Sequence, residues 1–443
     1  MDIIGVGGYG EVGRNMTFAQ VGQEAAIFDI GFNIQKLSDF EETGGDRKLA
    51  TKQHLIKAEA VADDTVLASY KNNVKGILVS HCHLDHCGAI PFMANEYKAP
   101  IVGTPFTMEV INNLLRDDNI KIKNKLHRIN NGTTLKISDN LELEFINITH
   151  STPSTSLIAL HTKEGIILYA NDFKLDNHPI LGQKPDYKRI KELGDSGKVR
   201  AVVLDACYSN TPGKTPSEKV AREMLKEVML EEDLQGRALV ISCTASHMAR
   251  IKSIQEFSHK IGRELVVAGR SFLKYISAAE AMGISHYTKG TQIWGHRAEI
   301  AKNFKKIAKN GLDKYVVLAT GGQGEPHSVL GRMTTGELPF AFQRDDAIIF
   351  SNKVIPTEIN IRNRAQMEKK LVDNKLRLFK DVHSSGHCYR EDLREFIKLC
   401  NPEHIIPCQG EPKMLEGLKS LGMDMGYNAK RLHVLQNGQK ITI

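Results

Sequence analysis

The segment Ser80-His81-Cys82-His83-Leu84-Asp85-His86 most constrains this chain, because it places three histidines and one aspartate within six positions. It follows a short apolar run typical of a buried strand. Imidazole and carboxylate groups are ligands that zinc accepts. His81 and His83 lie on the same side of an extended turn and are predicted to bind one metal ion, whereas Asp85 and His86 begin the next helix and face a second ion. The segment therefore predicts a two-metal site.

Further candidate ligands follow predicted strands. The apolar runs at residues 25–28, 141–148 and 166–170 precede Asp29, His150 and Asp172. Because α/β sheets present their chemistry at the carboxyl ends of strands, these residues are predicted to converge on the same site. His150 and Asp172 fit the missing ligand positions, with Asp172 as the bridging carboxylate, and water held between two metal ions ionises near neutral pH and attacks phosphorus. Asp29 is predicted to orient a ligand imidazole, although a purely structural role stays open.

Composition narrows the class of protein. The chain has 443 residues, too many for one hydrophobic core, with 41% hydrophobic and 25% charged residues, as in ordinary globular proteins. Its net charge of +7 mildly favours a polyanionic partner. No leader-like start and no apolar run of about 18 residues is found, so a cytoplasmic protein without a membrane partner is expected. Seven scattered cysteines without a C-x-x-C pair predict reduced thiols rather than disulfides or a thiolate zinc site.

The order of predicted elements indicates an α/β protein with an insertion. Strands and helices alternate from Asp205 to about residue 355, as in a parallel sheet with crossover helices. Thr215-Pro216-Ser217-Glu218 predicts a capping box with proline at the first helical position, and Asn437-Gly438 predicts a hairpin turn. The expected organisation is a first domain built from residues 1–204 and 356–443, interrupted by an inserted domain at residues 205–355.

The glycine-rich start of the chain, Gly7-Gly8-Tyr9-Gly10-Glu11-Val12-Gly13, superficially matches a dinucleotide-binding loop. Such a loop needs a helix directly after it, whereas the residues that follow predict the next strand of a hairpin. A tight turn over the active site is therefore predicted for this segment.

The H-x-H-x-D-H motif, with Asp29, His150 and Asp172, resembles the metallo-β-lactamase superfamily, which implies an αββα sandwich. The insertion followed by Ser384-Ser385-Gly386-His387 resembles the β-CASP nucleases of that superfamily. Within that group the chain is similar to the ribonuclease J family in four segments: residues 7–16, residues 320–326, Ser385-Gly386-His387 and Gly410-Glu411. Bacterial members carry a further C-terminal domain, so the end at Ile443 resembles the shorter archaeal form.

The resemblance implies a role for each motif residue. One zinc ion is expected on His81, His83 and His150 and a second on Asp85 and His86, with Asp172 between them and with manganese or magnesium as alternatives. His387 is expected to approach the scissile phosphate, as general acid or by stabilising the transition state. Asp205 is expected to hold a metal ligand in place.

One position departs from the family pattern. Where the family usually has Pro-Val-His-Gly-Glu, this chain has Pro407-Cys408-Gln409-Gly410-Glu411. An amide oxygen binds zinc more weakly than imidazole does, so Gln409 is a candidate metal or substrate ligand that weakens the second site. Cys408 is an alternative thiolate ligand, provided that its side chain turns toward the site.

The activity that the resemblance implies is 5′ to 3′ exonuclease digestion of single-stranded RNA from a 5′-monophosphate end, by a homodimer active in RNA decay and processing. The candidates for binding RNA or its phosphates, each with a surface role as the alternative, are Ser246, Arg250, Arg270, Ser271, Gly322, Gln323, Glu325, Ser384, Ser385 and Gly386.

Two other hypotheses for the function stay open. One is an endonuclease, either for RNA 3′-end processing or for DNA repair, which would prefer internal sites to a 5′-monophosphate end. The other is an RNA-binding protein whose metal site is degenerate at Gln409. A small-molecule hydrolase such as a glyoxalase or lactamase is disfavoured, because such enzymes need no insertion of this kind.

Overall fold

The structure is a computed structural model that describes residues 1–355 and 357–443. Its strands, in chain order, are β1 (Asp2–Gly7), β2 (Met16–Val21), β3 (Glu24–Phe28), β4 (Val74–Leu78), β5 (Ile101–Gly103), β6 (Leu126–Arg128), β7 (Thr134–Lys136), β8 (Glu142–Asn147), β9 (Ser156–Thr162), β10 (Gly165–Ala170), β11 (Val199–Asp205), β12 (Leu239–Ser242), β13 (Glu264–Ala268), β14 (Thr291–Trp294), β15 (Tyr315–Ala319), β16 (Ala347–Phe350), β17 (Arg377–Phe379), β18 (His404–Cys408) and β19 (Gln439–Thr442).

The α-helices are α1 (Ile34–Glu42), α2 (Lys52–Lys57), α3 (Leu84–Cys87), α4 (Ile90–Met93), α5 (Pro105–Asp118), α6 (Tyr187–Asp195), α7 (Glu218–Lys226), α8 (Met248–Lys260), α9 (Arg270–Ala281), α10 (Arg297–Asn310), α11 (Val329–Thr334), α12 (Glu358–Asp373), α13 (Arg390–Cys400) and α14 (Pro412–Asp424). A π-helical turn, Glu227–Glu231, follows α7, and short 3-10 helices cover Asp64–Leu67, Lys71–Asn73, Ala94–Glu96, Leu312–Lys314 and Ala429–Arg431. In the described part of the chain no helix combines the length and the apolar character needed to cross a bilayer.

The chain divides into two compact units. Unit 1 comprises Met1–Asn177, Gly182–Thr215 and Gly386–Ile443, and unit 2 comprises His178–Leu181 and Pro216–Ser385. The domain boundaries expected from the sequence, after residues 204 and 355, stay a prediction.

Unit 1 contains two mixed sheets. The first has the strand order β19-β1-β2-β3-β4-β5-β6 and the second has the order β18-β11-β10-β9-β8-β7. Apolar side chains of both sheets share one buried cluster, in which the rings of Phe28 and Tyr169 stack with centroids 5.0 Å apart. The other face of the second sheet is covered by α6, α13 and α14, which contribute buried residues such as Ile190, Phe396 and Leu418. Central strands such as β3 and β10 bury nearly all of their side chains, and their sequences are therefore almost continuous hydrophobic runs.

The carboxyl ends of several strands in unit 1 carry the candidate site residues. In the first sheet the parallel strands β3 and β4 end just before Asp29 and His81. In the second sheet β10, β11 and β18 are parallel and end at or just before Asp172, Asp205 and Gln409. Parallel neighbours end at the same edge of a sheet, so one edge presents polar side chains from segments far apart in sequence.

Unit 2 is built on one sheet with the order β14-β13-β15-β12-β16-β17, in which every pairing is parallel. Its buried core includes Trp294, Phe304 and Phe350. The predicted alternation of strand and crossover helix therefore describes this sheet correctly.

Two local predictions are corrected. Helix α7 begins after Ser217, whose side chain accepts a hydrogen bond from the Lys219 amide, so the predicted cap at Thr215 is wrong. Thr215 instead donates its hydroxyl to the carbonyl of His387. The turn at Asn437-Gly438 is present, but it does not join two strands of a hairpin. β19, which follows the turn, pairs with β1, and the Gly438 amide donates to the Gly5 carbonyl.

A charged pair in unit 1 predicts a pH-dependent stability. Glu144 on β8 accepts hydrogen bonds from His161 Nε2 at 2.7 Å and Arg189 Nε at 2.6 Å. Burial raises the pKa of Glu144, but these two donors outweigh it and lower the pKa from 4.5 to about 2. The ionised form therefore stabilises the folded state above about pH 4.5, and this contribution is lost as the pH falls toward about 2. We expect Glu144→Gln to lower the free energy of unfolding by about 1–3 kcal/mol near neutral pH.

The measurement is urea unfolding of wild type and variant at neutral pH and at a series of lower pH values. The two free energies of unfolding are expected to converge progressively as the pH falls from about 4.5 toward about 2. Glu192→Gln is the matched control, because Glu192 contacts the same arginine but is half exposed, and its effect is expected to stay within about 0.5 kcal/mol. A pH-independent difference for Glu144→Gln would contradict the assignment.

Candidate metal centre

Three imidazoles and one carboxylate converge in unit 1. His83 Nδ1 lies 3.0 Å from His81 Nε2 and 3.1 Å from His150 Nε2. Asp172 Oδ2 lies 3.8 Å from His81 Nε2 and 3.6 Å from His150 Nε2. We call His81, His83, His150 and Asp172 the three-histidine group. It brings together two residues of the histidine-rich motif and two distant single residues.

Hydrogen bonds on the far side of two rings decide which nitrogen faces the group. Ser80 donates its hydroxyl to Asp29 at 2.8 Å and lies 3.0 Å from His81 Nδ1, so this nitrogen carries the proton and Nε2 faces the group with its lone pair. His150 Nδ1 likewise donates to the Gly386 carbonyl at 2.7 Å. Partners of this kind fix the tautomer and ring orientation of metal-ligating histidines.

Glycine at position 386 is required by this arrangement. A Cβ atom there would lie 2.8 Å from His150 Cε1, closer than two carbon atoms approach without a shift. Gly386 therefore supports the His150 ring through its backbone carbonyl. The candidate role of Gly386 in binding RNA stays a prediction.

The imidazoles of the three-histidine group are neutral near physiological pH. Burial lowers the pKa of His81 and His150 well below the ordinary range and lowers the pKa of His83 to about 4. Only the neutral ring offers a lone pair to a metal. The group therefore does not need to release protons at neutral pH before it binds a cation.

The three-histidine group fits zinc. Tetrahedral zinc with bonds of about 2.0–2.1 Å to nitrogen holds its nitrogen ligands about 3.4 Å apart. The nitrogen separations of 3.0 and 3.1 Å are close to that spacing, and all four ligand atoms lie within 4.8 Å of one another. Three nitrogen ligands with one carboxylate oxygen form a donor set that zinc accepts.

A second cluster adjoins the first. Asp85, His86 and Asp172 each offer one ligand atom within 4.8 Å of the others, and we call them the second group. Asp172 belongs to both groups, with Oδ2 toward the histidines and Oδ1 3.3 Å from His86 Nε2. Its backbone adopts φ 55°, a left-handed conformation that is uncommon for residues other than glycine and clusters at functional sites.

Asp29 lies beneath the second group. Its Oδ2 accepts from His86 Nδ1 at 2.8 Å, and its Oδ1 accepts from the Ser80 amide at 2.8 Å. One carboxylate thus contacts a histidine of the second group and, through Ser80, a histidine of the first. This geometry fits the predicted orienting role.

The side chain of Gln409 points into the second group, and its amide nitrogen rather than its oxygen faces the carboxylates. Gln409 Nε2 donates to Asp85 Oδ2 at 2.9 Å and to Asp172 Oδ1 at 3.0 Å. The expectation that its amide oxygen acts as a weak metal ligand is therefore wrong for this conformation. Cys408 is no substitute, because its side chain lies in the hydrophobic core between the two sheets, where burial raises the pKa of its thiol.

His387 pairs with Asp205. His387 Nδ1 donates to Asp205 Oδ2 at 2.7 Å, and His387 Nε2 lies 3.8 Å from Asp172 Oδ2. The predicted contact of Asp205 with a metal ligand is corrected, since its partners are His387 and the Cys207 amide. Burial lowers the pKa of His387, but Asp172 and Asp205 outweigh burial and raise it to about 9. The two carboxylates therefore favour the protonated form of this imidazole.

The phosphate-binding candidates of unit 2 fall into different environments. Arg270 and Ser271 are exposed at the start of α9, and Glu325 is exposed in the loop after β15. The Gly322 carbonyl and the Gln323 side chain bond to residues of their own unit. The remaining serine candidates, Ser246, Ser384 and Ser385, are buried.

Arg250 contradicts its prediction as a phosphate ligand. Its side chain is fully buried at 0% exposure and forms two hydrogen bonds with Glu218, at 2.6 and 2.8 Å. The same guanidinium donates to the hydroxyl and carbonyl of Ser351 and to the carbonyl of Val382. This arginine therefore ties unit 2 together internally.

Sequence reasoning missed three residues around the site. Asn15 Nδ2 lies 3.1 Å from both His86 Nε2 and the Asp85 carbonyl. Ser80 holds the His81 ring, and the Gly13 amide donates to Gln409 Oε1 at 2.8 Å. Asn15 and Gly13 lie in or directly after the glycine-rich segment, so the predicted turn over the active site was the available signal.

Comparisons with known proteins agree with this geometry. Residues 62–180 match the family described as "Beta-lactamase superfamily domain", and residues 235–367 match "Ribonuclease J, beta-CASP domain". Residues 373–432, which include His387 and Gln409, match "Zn-dependent metallo-hydrolase RNA specificity domain". Ribonuclease J of Methanocaldococcus jannaschii is 38% identical over 441 residues, which cover 99% of this chain and 98% of the relative. The chain belongs to the ribonuclease J family.

Other relatives support the assignment. Ribonuclease J of Pyrococcus abyssi is 36% identical over 99% of this chain and 96% of the relative. A solved structure of a protein of unknown function from Enterococcus faecalis V583 has a TM-score of 0.66 at 14% identity, covering 100% of this chain and 99% of that one, and it shows the fold alone.

The predictions of family and fold class are confirmed. The chain is an α/β protein with a metallo-β-lactamase domain and a β-CASP domain, and it is a zinc-dependent metallo-hydrolase of the ribonuclease J family with a histidine-rich candidate metal site. RNA is the substrate class that this membership implies.

Proposed function

We propose that this member of the ribonuclease J family digests single-stranded RNA in the 5′ to 3′ direction, starting from 5′-monophosphate ends, with zinc held by the three-histidine group. The observation that carries the proposal is the convergence of three imidazoles and Asp172, with the His387 ring beside them, in a chain of this family. Bound zinc supplies Lewis-acid stabilisation of phosphoryl oxygens and lowers the pKa of water.

The residues of the chain supply positioning and a proton. Asp205 accepts from His387 Nδ1 and thereby directs the Nε2 proton toward the space beside Asp172. In its protonated form an imidazole there stabilises negative charge that develops on phosphoryl oxygens and protonates the departing oxygen. Asp29, Ser80 and Gly386 keep the histidine rings in orientation, so the ligand atoms need little rearrangement.

Recognition of the 5′ monophosphate is assigned to a subset of the sequence candidates. Arg270 and Ser271 are exposed and lie in the first turn of α9, where backbone amides and the helix dipole favour anions. The loop from Gly322 to Glu325 and the serines at positions 246, 384 and 385 complete the proposal. Arg250 is excluded, because its guanidinium is buried against Glu218. A homodimer, measurable by light scattering, is part of the same proposal.

The experiment is a time course on single-stranded RNAs that carry a 3′ label and a 5′ monophosphate, triphosphate or hydroxyl. Successive shortening of the monophosphate substrate is expected, with slower digestion of the other two. The His387→Ala variant is expected to keep its zinc and lose most cleavage, because His387 belongs to no part of the three-histidine group.

Three other results of this experiment would contradict the proposal in different ways. Internal fragments that appear regardless of the 5′ group would replace the proposal with an endonuclease. RNA binding without cleavage by a zinc-loaded sample would favour a binding protein. A wild-type rate in the His387→Ala variant would remove this residue from the mechanism.

A further inference from the structure

The side chain at position 409 lies where the second group would hold a cation. Gln409 follows β18 and is 1% exposed. Its Nε2 is 2.9 Å from Asp85 Oδ2, 3.0 Å from Asp172 Oδ1 and 3.3 Å from His86 Nε2. The ligand atoms of the second group therefore all surround one amide nitrogen.

The orientation of this amide is decided by a partner on its other end. The Gly13 amide donates to Gln409 Oε1 at 2.8 Å. A backbone amide has a proton to donate and accepts nothing, so the atom that faces Gly13 must be the oxygen. The nitrogen then necessarily faces the two carboxylates, which accept hydrogen bonds. Both ends of the carboxamide have complementary partners only in this orientation.

The backbone of Gln409 is held as firmly as its side chain. Its amide donates to the Gly8 carbonyl at 2.7 Å, and its φ of 52° is the left-handed conformation. The glycine-rich segment, residues 7–13, thus contacts Gln409 through Gly8 and Gly13. Turning the carboxamide over would set an N–H against the Gly13 N–H and a carbonyl oxygen against two carboxylates, so both contacts would become repulsive.

A metal ion cannot share this position with the amide. Zinc bonds to carboxylate and imidazole ligands at about 2.0–2.2 Å. A zinc ion in the second group would therefore have to lie among the same three ligand atoms that surround Gln409 Nε2. The nitrogen of a carboxamide donates protons and offers no lone pair to a cation. Its two protons instead bridge Asp85 and Asp172, whose like charges would otherwise repel each other.

We propose that this chain binds a single zinc ion in the three-histidine group, and that the Gln409 carboxamide permanently fills the second metal position. The inference deepens the proposed ribonuclease function and rests on it. Asp172 then divides its oxygens, with Oδ2 available to zinc and Oδ1 engaged by Gln409. Asp85 becomes a hydrogen-bond acceptor rather than a metal ligand.

The first test counts the metal. Wild type, Gln409→His and Gln409→Glu are equilibrated with zinc at a buffered free concentration and desalted, and zinc per chain is measured by mass spectrometry. Wild type is expected to hold one zinc ion. Gln409→His, which supplies imidazole, and Gln409→Glu, which keeps the acceptor for Gly13 but replaces the donor with a carboxylate oxygen, are each expected to hold two.

The isosteric glutamate variant keeps the test valid if the histidine variant does not fold, and thermal melting identifies that case. Two zinc ions in wild type would overturn the proposal. One zinc ion in wild type and in both folded variants would also overturn it, because the amide would not be what excludes the second ion. No zinc in wild type would overturn this proposal and the proposed function together, whereas one zinc ion without RNA cleavage would count against the proposed function alone.

Discussion

Replacing His150 with alanine is expected to release the zinc of the three-histidine group and to reduce RNA cleavage by at least about 10³-fold, equivalent to about 4 kcal/mol of transition-state stabilisation. His150 Nε2 lies 3.1 Å from His83 Nδ1, and its ring is held by the Gly386 carbonyl. The variant retains only His81, His83 and Asp172 as ligands. Zinc content and the cleavage rate on 5′-monophosphate RNA, measured on the same sample, check the prediction.

A histidine outside the site provides the control. His127 on β6 is exposed, and His127→Ala is expected to keep both the zinc and the wild-type rate. Melting temperatures of the two variants show whether each has kept its fold. Full zinc content and a wild-type rate in a folded His150→Ala protein would rule out the three-histidine group as the metal site.

Replacing Arg250 with methionine is expected to destabilise unit 2 by about 3–5 kcal/mol, because the buried Glu218 carboxylate loses its arginine and keeps the weaker contact with His247, at 3.3 Å. Both side chains are buried, and they are joined by two hydrogen bonds of 2.6 and 2.8 Å. Burial raises the pKa of Glu218, but Arg250 outweighs burial and holds the pKa well below its ordinary value. The substitution also removes the guanidinium group that donates to the carbonyls of Ser351 and Val382.

The chain contains one tryptophan, and Trp294 lies in the core of unit 2. Its fluorescence during urea unfolding therefore reports on that unit. The double variant Glu218→Gln with Arg250→Met is expected to recover part of the lost stability, because no uncompensated charge then remains buried. A loss below about 1 kcal/mol in Arg250→Met alone would contradict the description of this ion pair as a structural element.

The Arg250 example shows why single-residue candidates in the inserted unit were hard to assign. A serine or arginine near a strand end can bind phosphate or pair internally, and the choice depends on contacts distant in sequence. The partners of Arg250 are Glu218, Ser351 and Val382, which lie 32, 101 and 132 positions away. No local pattern around Arg250 predicts these distances.

The histidine-rich motif is the opposite case. His81, His83, Asp85 and His86 stay near one another wherever the chain places them, because five residue steps reach at most about 18 Å even when fully extended. Residue type and spacing alone therefore predicted metal chemistry. The apolar runs before Asp29, His150 and Asp172 predicted that these residues lie at strand ends near the same site. The family resemblance extended the predicted site to His387 and Asp205.

By itself, the sequence determined the class of chemistry, the α/β character and the family, since each depends on local spacing, on hydrophobic periodicity or on motifs of adjacent residues. Only the tertiary structure decided that Asp205 orients His387 and that Gln409 faces the carboxylates with its nitrogen. The physical reason is that a hydrogen-bond donor or acceptor takes its role from its partner, and the partner that orients Gln409 is the amide of Gly13, 396 positions away.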